Sequence, residues 1–398
     1  MNDSTSVIIV GAGPVGLTAA IKLVRLGVSV VVFEKSEELN SEPRASTFHP
    51  PTLDMLDEFG LTEKLIAHGR PSQTWQYKVW ETDERAVFDL GVLSDLTEHP
   101  YRLQCEQYHL VRLAADLLNK EAPGSLVLGA EITDLRQNED CVQISVGIEG
   151  EKSQHRSQWL IAADGGGSTV RTNLGLSFEG ETYATTSLTV ATRFDFDAHL
   201  KDLLGVNYFW SDNGPFSLFH AKDTWRSGYS PPHGVSDEEA LNPEAVQAHL
   251  KRIVFRGEPY EIISARAYRV HQRVVNHFRN GRVLLAGDAA HLNSPTGGFG
   301  MNSGVHDAIN LAEKLFQVLQ GASDELLDLY SRQRKAAAVE DIQATADANY
   351  KRLREKSPTR RKQIMRDMQE ITSNKQRMRD FLLKTSMIAS LRRADSIT

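Results

Sequence analysis

The chain has 398 residues, of which 40% are hydrophobic and 24% charged, and a formal net charge of −7. That is an ordinary globular composition with room for about two to three domains; no run approaches the roughly 18 apolar residues of a membrane span, so no integral membrane contact is expected, and the acidic balance gives no reason to expect a nucleic-acid partner. Two cysteines, Cys105 and Cys141, fit a reducing, cytoplasmic setting and form no C-x-x-C redox pair, and no metal site is read from the spacing of ligating residues.

The chain opens directly into a buried apolar strand, residues 7–10, so no leader segment is expected. Gly11, Gly13 and Gly16 follow at the G-x-G-x-x-G spacing that a tight turn into a helix requires. Gly11 permits the turn, Gly13 leaves room for a pyrophosphate against the backbone, and Gly16 lets the helix pack on the strand. Free N–H groups at the helix start then face the phosphates. A second apolar run, residues 28–33, ends in Glu34, eighteen residues after Gly16 and placed to accept from a ribose hydroxyl. A carboxylate there disfavours a 2′-phosphate, so the motif fits FAD or NAD rather than NADP. Lys35 follows it and is grouped with the cofactor contacts.

Prolines 43, 50 and 51 interrupt regular structure before a short helix at about 52–59. Arg44 on this loop can reach a phosphate or the face of a cofactor, or be solvated; His49 reads as a loop histidine rather than a base. Residues 73–96 alternate with aromatics and read as strands, a helix starts at Gln107, and 125–128, 130–136 and 142–148 read as antiparallel strands. A buried strand, 160–163, then ends in Asp164-Gly165, with Ser168 and Arg171 beyond. Asp164 suits ribose, pyrophosphate or nicotinamide contacts, and equally the capping of the next helix.

From 181 to 273 glycine-rich strand-to-helix turns vanish and alternating runs appear, which predicts a mainly antiparallel substrate domain. Its aromatics, among them Tyr208, Trp210, Phe219 and Trp225, are candidates for a flat apolar pocket and equally for core. Arg193, Tyr208 and His220 are the candidates for a substrate-activating side chain on this sheet. A third strand, 283–286, delivers Gly287-Asp288, and a loop rich in glycine leads into a long helix. Such a loop leaves N–H groups free at a helix start, which suits the negative charge of a reduced flavin, and Asp288 suits a sugar or ribityl hydroxyl. From about 324 the chain reads as helical. Between 351 and 398 it carries fourteen Lys or Arg against five Asp or Glu, a face read as solvated, with a homodimer contact among the alternatives.

Together, Gly11-Ala-Gly-Pro-Val-Gly16, Asp164-Gly165-x-x-Ser168-x-Val170-Arg171, and Gly287-Asp288-Ala-Ala-His291 with Pro295 and Gly300-Met-Asn302 resemble the FAD-dependent aromatic hydroxylases related to 4-hydroxybenzoate hydroxylase. The resemblance runs from about residue 5 to 345 and leaves out the last fifty residues. It implies an α/β protein with a Rossmann-like FAD-binding domain from 1–180 and 274–345, an inserted antiparallel substrate domain at 181–273, and a C-terminal helical segment at 346–398. Gly11, Gly13 and Gly16 would hold the pyrophosphate, Glu34 the adenosine ribose, and Asp288 the ribityl chain. Arg44 and Gln107 would touch the cofactor, and the Asp164 segment would serve FAD and a transient NADH or NADPH. The backbones of Gly300, Met301 and Asn302 would face the flavin ring, with Pro295 close to the reacting edge.

The implied reaction is reduction by NAD(P)H, addition of O₂ to give a flavin C4a-hydroperoxide, and transfer of oxygen to a small aromatic or N-heteroaromatic ring. Arg193, Tyr208, Trp210, Phe219, His220 and Pro295 are the expected substrate contacts, and one arginine in the pocket would tip the choice towards an acid. Phe299, where many relatives of this kind carry a polar residue, hints at an apolar flavin approach. A reductase or oxidase on the same fold and a non-catalytic flavin sensor are the alternatives; a halogenase is disfavoured because W-x-W-x-I-P is absent.

Overall fold

The computed structural model describes residues 5–232 and 234–398. The fold contains two eight-stranded sheets and a three-stranded sheet, with helices around them. The first sheet runs in the order Arg279–Asn280, Val283–Leu285, Glu151–Ala162, Thr5–Val10, Val30–Phe33, Leu126–Val127. Val7, Ile8, Ile9, Val32, Leu160, Ile161 and Leu284 are all but fully buried, as expected of parallel strands covered on both faces.

Register aligns the ends of four strands. Val10 lies opposite Phe33 and Ala162, and Ala162 opposite Leu285. The next residues of each strand, Gly11, Glu34, Ala163-Asp164 and Ala286-Gly287-Asp288, therefore emerge at one edge of the sheet. This is the carboxyl-terminal edge where open parallel sheets bind their ligands. The helix Pro14–Arg25 begins there with Pro14 in its first turn and ends with Lys22 and Arg25, in keeping with the helix dipole.

Two sequence expectations change. Residues 125–128 were expected to be antiparallel, but Leu126–Val127 pairs parallel with Val30–Phe33. The helix Gln107–Glu121 lies between the two strands in the chain, and a helical crossover returns the chain in the parallel sense. The stretch 73–96, expected within the first domain, instead extends the second sheet: Thr74–Val79 pairs parallel with Val206–Trp210, and Arg85–Asp89 adds the edge. Aromatic packing draws it there, with Trp75 stacked on Phe88 at 4.3 Å and Tyr77 on Trp210 at 5.5 Å.

The second sheet is otherwise built from Glu179–Thr192, Val206–Trp210, Phe216–His220, Trp225–Tyr229, Ile262–Val274 and His291–Leu292, antiparallel except where Val206–Trp210 meets Thr74–Val79. The C-terminal helices Pro358–Ser373, Lys375–Thr385 and Ile388–Ser396 do more than present charge to solvent. Met365, Met368, Leu382 and Ile388 are buried in the same cluster as Trp75, Tyr77, Phe88, Tyr208 and Trp210. Their charges occupy the outer face and their apolar stripe covers one side of the second sheet.

Candidate active site

A cavity of about 1140 Å³ runs from the glycine turn of the first sheet to one face of the second. At the first end, the three motif glycines divide the work. A Cβ on Gly11, at φ +103°, would lie 2.4 Å from Ala163 O, and one on Gly16 would overlap Gly11 O, so both positions serve close packing. A Cβ on Gly13 would meet nothing within 4 Å, and Gly13 lines the cavity; its missing side chain is space for a ligand.

Glu34 accepts from the Ala12 N–H through Oε2 at 2.8 Å and from the Ser36 N–H through Oε1 at 3.0 Å. This fixes the carboxylate at the cavity wall with lone pairs to spare. Lys35, Arg44 and Gln107 also line this end. Asp288 is exposed into the cavity, with protein packed around it. Burial raises its carboxyl pKa, with His291 and Arg44 opposing. Asp164 accepts from Ser168 Oγ at 2.6 Å and from the Val170 N–H at 3.1 Å, bracing the Ser168 cap of the helix Thr169–Asn173, and it also lines the cavity, so both of its readings stand. Arg171 is structural, donating to Ala289 O and Gly166 O.

The loop 295–300 forms the floor between the two sheets. Gly297 and Gly298 have φ of +116° and +73°, conformations open to glycine. The loop is tied down from below: Asn302 Nδ2 donates to Gly298 O at 2.7 Å and Thr47 O at 2.8 Å, its Oδ1 accepts from the His49 N–H, and His49 Nε2 lies 2.8 Å from Gly297 O. Burial holds the His49 imidazole neutral, its pKa well below the usual value. His49 is thus a loop anchor rather than a base. Pro295, Gly300 and Met301 line the cavity; Asn302 does not, being fully buried with its side chain spent on the loop. Phe299 lines the cavity as well, and its buried ring packs with Ile342, Ala346 and Met387.

The opposite wall is set by strand alternation. Tyr208, Ser217, Gly228, Thr189 and Arg266 stand in one cross-strand row, and all five line the cavity, as do Phe219 and Arg226. His220, next to Phe219, points the other way, stacked on Trp225 at 4.2 Å with Nδ1 3.2 Å from Asp197 and Nε2 3.3 Å from Arg70. It is therefore withdrawn as a substrate or catalytic residue. Trp210 is withdrawn too: it is buried beyond the cavity, with Nε1 donating to Arg352 O at 3.1 Å. Arg193 lies past a strand end, exposed and paired with Glu261 at 2.5 Å, outside the cavity. Tyr208, Phe219 and Pro295 stay at the wall.

Sequence reasoning missed Arg226, which pairs with Glu106 at 3.0 Å across the cavity wall; the period of two following Trp225 could have found it. It also missed Leu353 and Arg354, which line the cavity from the C-terminal segment, where no local signal marks them.

A dinucleotide cradle at the edge of a parallel sheet, joined by one cavity to an aromatic-lined antiparallel wall, defines an FAD-dependent aromatic monooxygenase. Residues 4–345 match the FAD binding domain family, and the chain belongs to that family. It is 33% identical over 388 residues, 96% of each chain, to the para-nitrophenol 4-monooxygenase of Pseudomonas sp. (strain WBC-3). It is 32% identical over 392 residues to the 6-hydroxy-3-succinoylpyridine 3-monooxygenase HspB of Pseudomonas putida (strain DSM 28022 / S16), covering 96% of this chain and 98% of that one. The crystal structure of p-nitrophenol 4-monooxygenase PnpA from Pseudomonas putida DLL-E4 superposes with a TM-score of 0.91 at 32% identity, covering 98% of both chains. Among the described residues, no helix is long and apolar enough to cross a membrane, and no group of three or more His, Cys, Asp or Glu could hold a metal.

Proposed function

We propose that the protein hydroxylates a small phenolic or N-heteroaromatic ring using FAD, O₂ and NADH or NADPH. The observation that carries this reading is the single cavity joining Gly13, Glu34 and Asp288 to Tyr208, Ser217 and Phe219. The residues fit FAD: Gly13 leaves space for a pyrophosphate, Glu34 is held ready for a ribose, and Asp288 offers a carboxylate to the same cavity for a ribityl hydroxyl. FAD, when bound, supplies the activation of O₂ at its C4a position after reduction by the transient nicotinamide.

This chain's own residues orient the partners and exclude water. The loop from Pro295 to Met301 offers backbone groups at the start of the helix Gly300–Leu319, whose dipole favours negative charge beside it. Tyr208 is the remaining candidate for handling the substrate hydroxyl. Burial raises its phenol pKa, with Arg102 opposing, so at neutral pH it is protonated and acts as a hydrogen-bond donor or relay rather than as a free base. Two unbonded cysteines, Cys105 and Cys141, suit the cytoplasmic setting that goes with this reading.

The decisive experiment supplies the FAD-loaded protein with NADH or NADPH, ¹⁸O₂ and a panel of phenols and hydroxypyridines. Nicotinamide oxidation stimulated by one aromatic, with one ¹⁸O atom in its product, is the expected result. Oxidation without label in the product would favour an oxidase or reductase, and absence of oxidation with every compound a sensor.

A further inference from the structure

Four arginines line the cavity: Arg44, Arg226, Arg266 and Arg354. Three have carboxylate neighbours. Arg226 pairs with Glu106 at 3.0 Å, Arg266 with Glu42, and Arg44 lies 3.7 Å from Glu42. Arg354 pairs with no carboxylate among the described residues. Its Nη2 donates to Ser230 Oγ at 2.8 Å, its guanidinium lies 3.9 Å from the centroid of the Tyr350 ring, and its Nε is buried without an acceptor. The neighbouring hydroxyl-bearing rings are Tyr350, Tyr268 and Tyr183, none of them a carboxylate, and burial lowers the guanidinium pKa without discharging it.

A partly buried cation with no counter-charge is unfavourable unless something brings one. Ser230, which holds it, lies two residues beyond Gly228, the member of the cavity-facing row opposite Ser217 and Thr189. Arg354 therefore stands along the sheet from Tyr208 and Ser217, at the substrate wall rather than at the dinucleotide end. A guanidinium edge presents parallel donors that match the two oxygens of a carboxylate.

The geometry points to Arg354 as a specificity-determining residue that receives a carboxylate carried by the aromatic substrate. This rests on the hydroxylase reading above and narrows its substrate class to phenolic or hydroxy-heteroaromatic acids. It also gives the C-terminal segment, which lies beyond the matched family region of 4–345, a part in substrate choice.

The test is calorimetric titration of the FAD-loaded protein and of Arg354→Gln and Arg354→Lys, with flavin content and thermal midpoint checked for each. The probes are 4-hydroxybenzoate, 3-(4-hydroxyphenyl)propionate, the primary amides of both, and 4-nitrophenol. At least one acid should bind the unaltered protein about tenfold or more tighter than its amide, the size of one charge-assisted hydrogen bond. In Arg354→Gln that ratio should fall to about one with amide affinity held within about twofold, and Arg354→Lys should restore part of it, as expected for a charge effect. Equal affinity for acid and amide in the unaltered protein, equal weakening of both by Arg354→Gln, no binding of any probe, or a loss for 4-nitrophenol as large as for the acid would each overturn the inference. Hydroxylation of neutral phenols without acid selectivity overturns this inference alone; acid-selective binding without oxygen incorporation overturns the hydroxylase reading alone.

Discussion

Asp307 and Arg334 form a fully buried ion pair, Nε to Oδ1 at 2.6 Å. The other carboxylate oxygen of Asp307 lies 2.7 Å from His291 Nε2 and accepts from the Gly287 N–H at 3.0 Å. One acid on the helix Gly300–Leu319 thereby fastens both ends of the Gly287-to-His291 turn that presents Asp288 to the cavity. Burial alone would raise the Asp307 pKa, but Arg334 and His291 outweigh it and hold it at about 2. Asp307→Asn should leave a buried guanidinium without its anion and destabilise the protein by about 3–5 kcal/mol, measured by urea unfolding. A change under about 1 kcal/mol would show that the pair is dispensable.

The same group sets an acid limit. A carboxylate whose folded pKa is depressed contributes stability that is present above its unfolded value, near 4, and is lost as pH falls towards 2. Two buried histidines act at higher pH. Burial pushes His306 and His249 to about 3, so the fold favours their neutral forms. Stability from them is full above about pH 6.5 and declines as pH falls towards 3, because the unfolded chain gains protons first. Unfolding free energy measured between pH 8 and 3 should therefore begin to fall near pH 6.5. A profile flat down to pH 4 would contradict the burial of these imidazoles.

Gly13 and Gly11 should fail differently. Gly13→Val places its branches in open cavity space, so the protein should fold with a near-normal thermal midpoint and lose FAD affinity by about tenfold or more. Gly11→Ala sets a Cβ against Ala163 O at positive φ, at a cost of at least about 1–2 kcal/mol. Flavin fluorescence titration and thermal melts of the two variants separate the cases.

On the substrate sheet, two of the candidate residues should behave oppositely. Tyr208→Phe removes the hydroxyl of the one member of the expected trio that lines the cavity and should lower kcat by about a hundredfold. Arg193→Ala should leave kcat within about twofold, since the residue lies outside the cavity. A steady-state comparison in which Arg193→Ala is the more damaging would reverse the assignment.

Leu382 is fully buried in the cluster that joins the C-terminal helices to the second sheet. Leu382→Ala should cost about 2–5 kcal/mol by chemical denaturation. A loss below about 1 kcal/mol would mean that the helices only rest on the sheet.

The sequence by itself determined the cofactor end of the molecule. A parallel strand, a glycine turn and a helix form a local unit, and repeating strand-then-acid endings at Glu34, Asp164 and Asp288 marked three more residues that line the cavity. Local chemistry suffices there because close backbone approach demands glycine wherever it occurs. The substrate end was legible only as a sheet rich in aromatics. Which side of each strand meets the cavity depends on register: His220 and Phe219 are neighbours in sequence and opposites in space, and Trp210 lies beyond the pocket that Tyr208 lines.

Tertiary structure alone decided the rest. The Thr74–Asp89 hairpin joined the second sheet because its aromatics found Tyr208 and Trp210, over a hundred residues away. The basic C-terminal segment, read as a solvated face, buries its apolar stripe and carries Arg354 to the cavity, because where a helix packs depends on a partner surface that its own sequence does not contain.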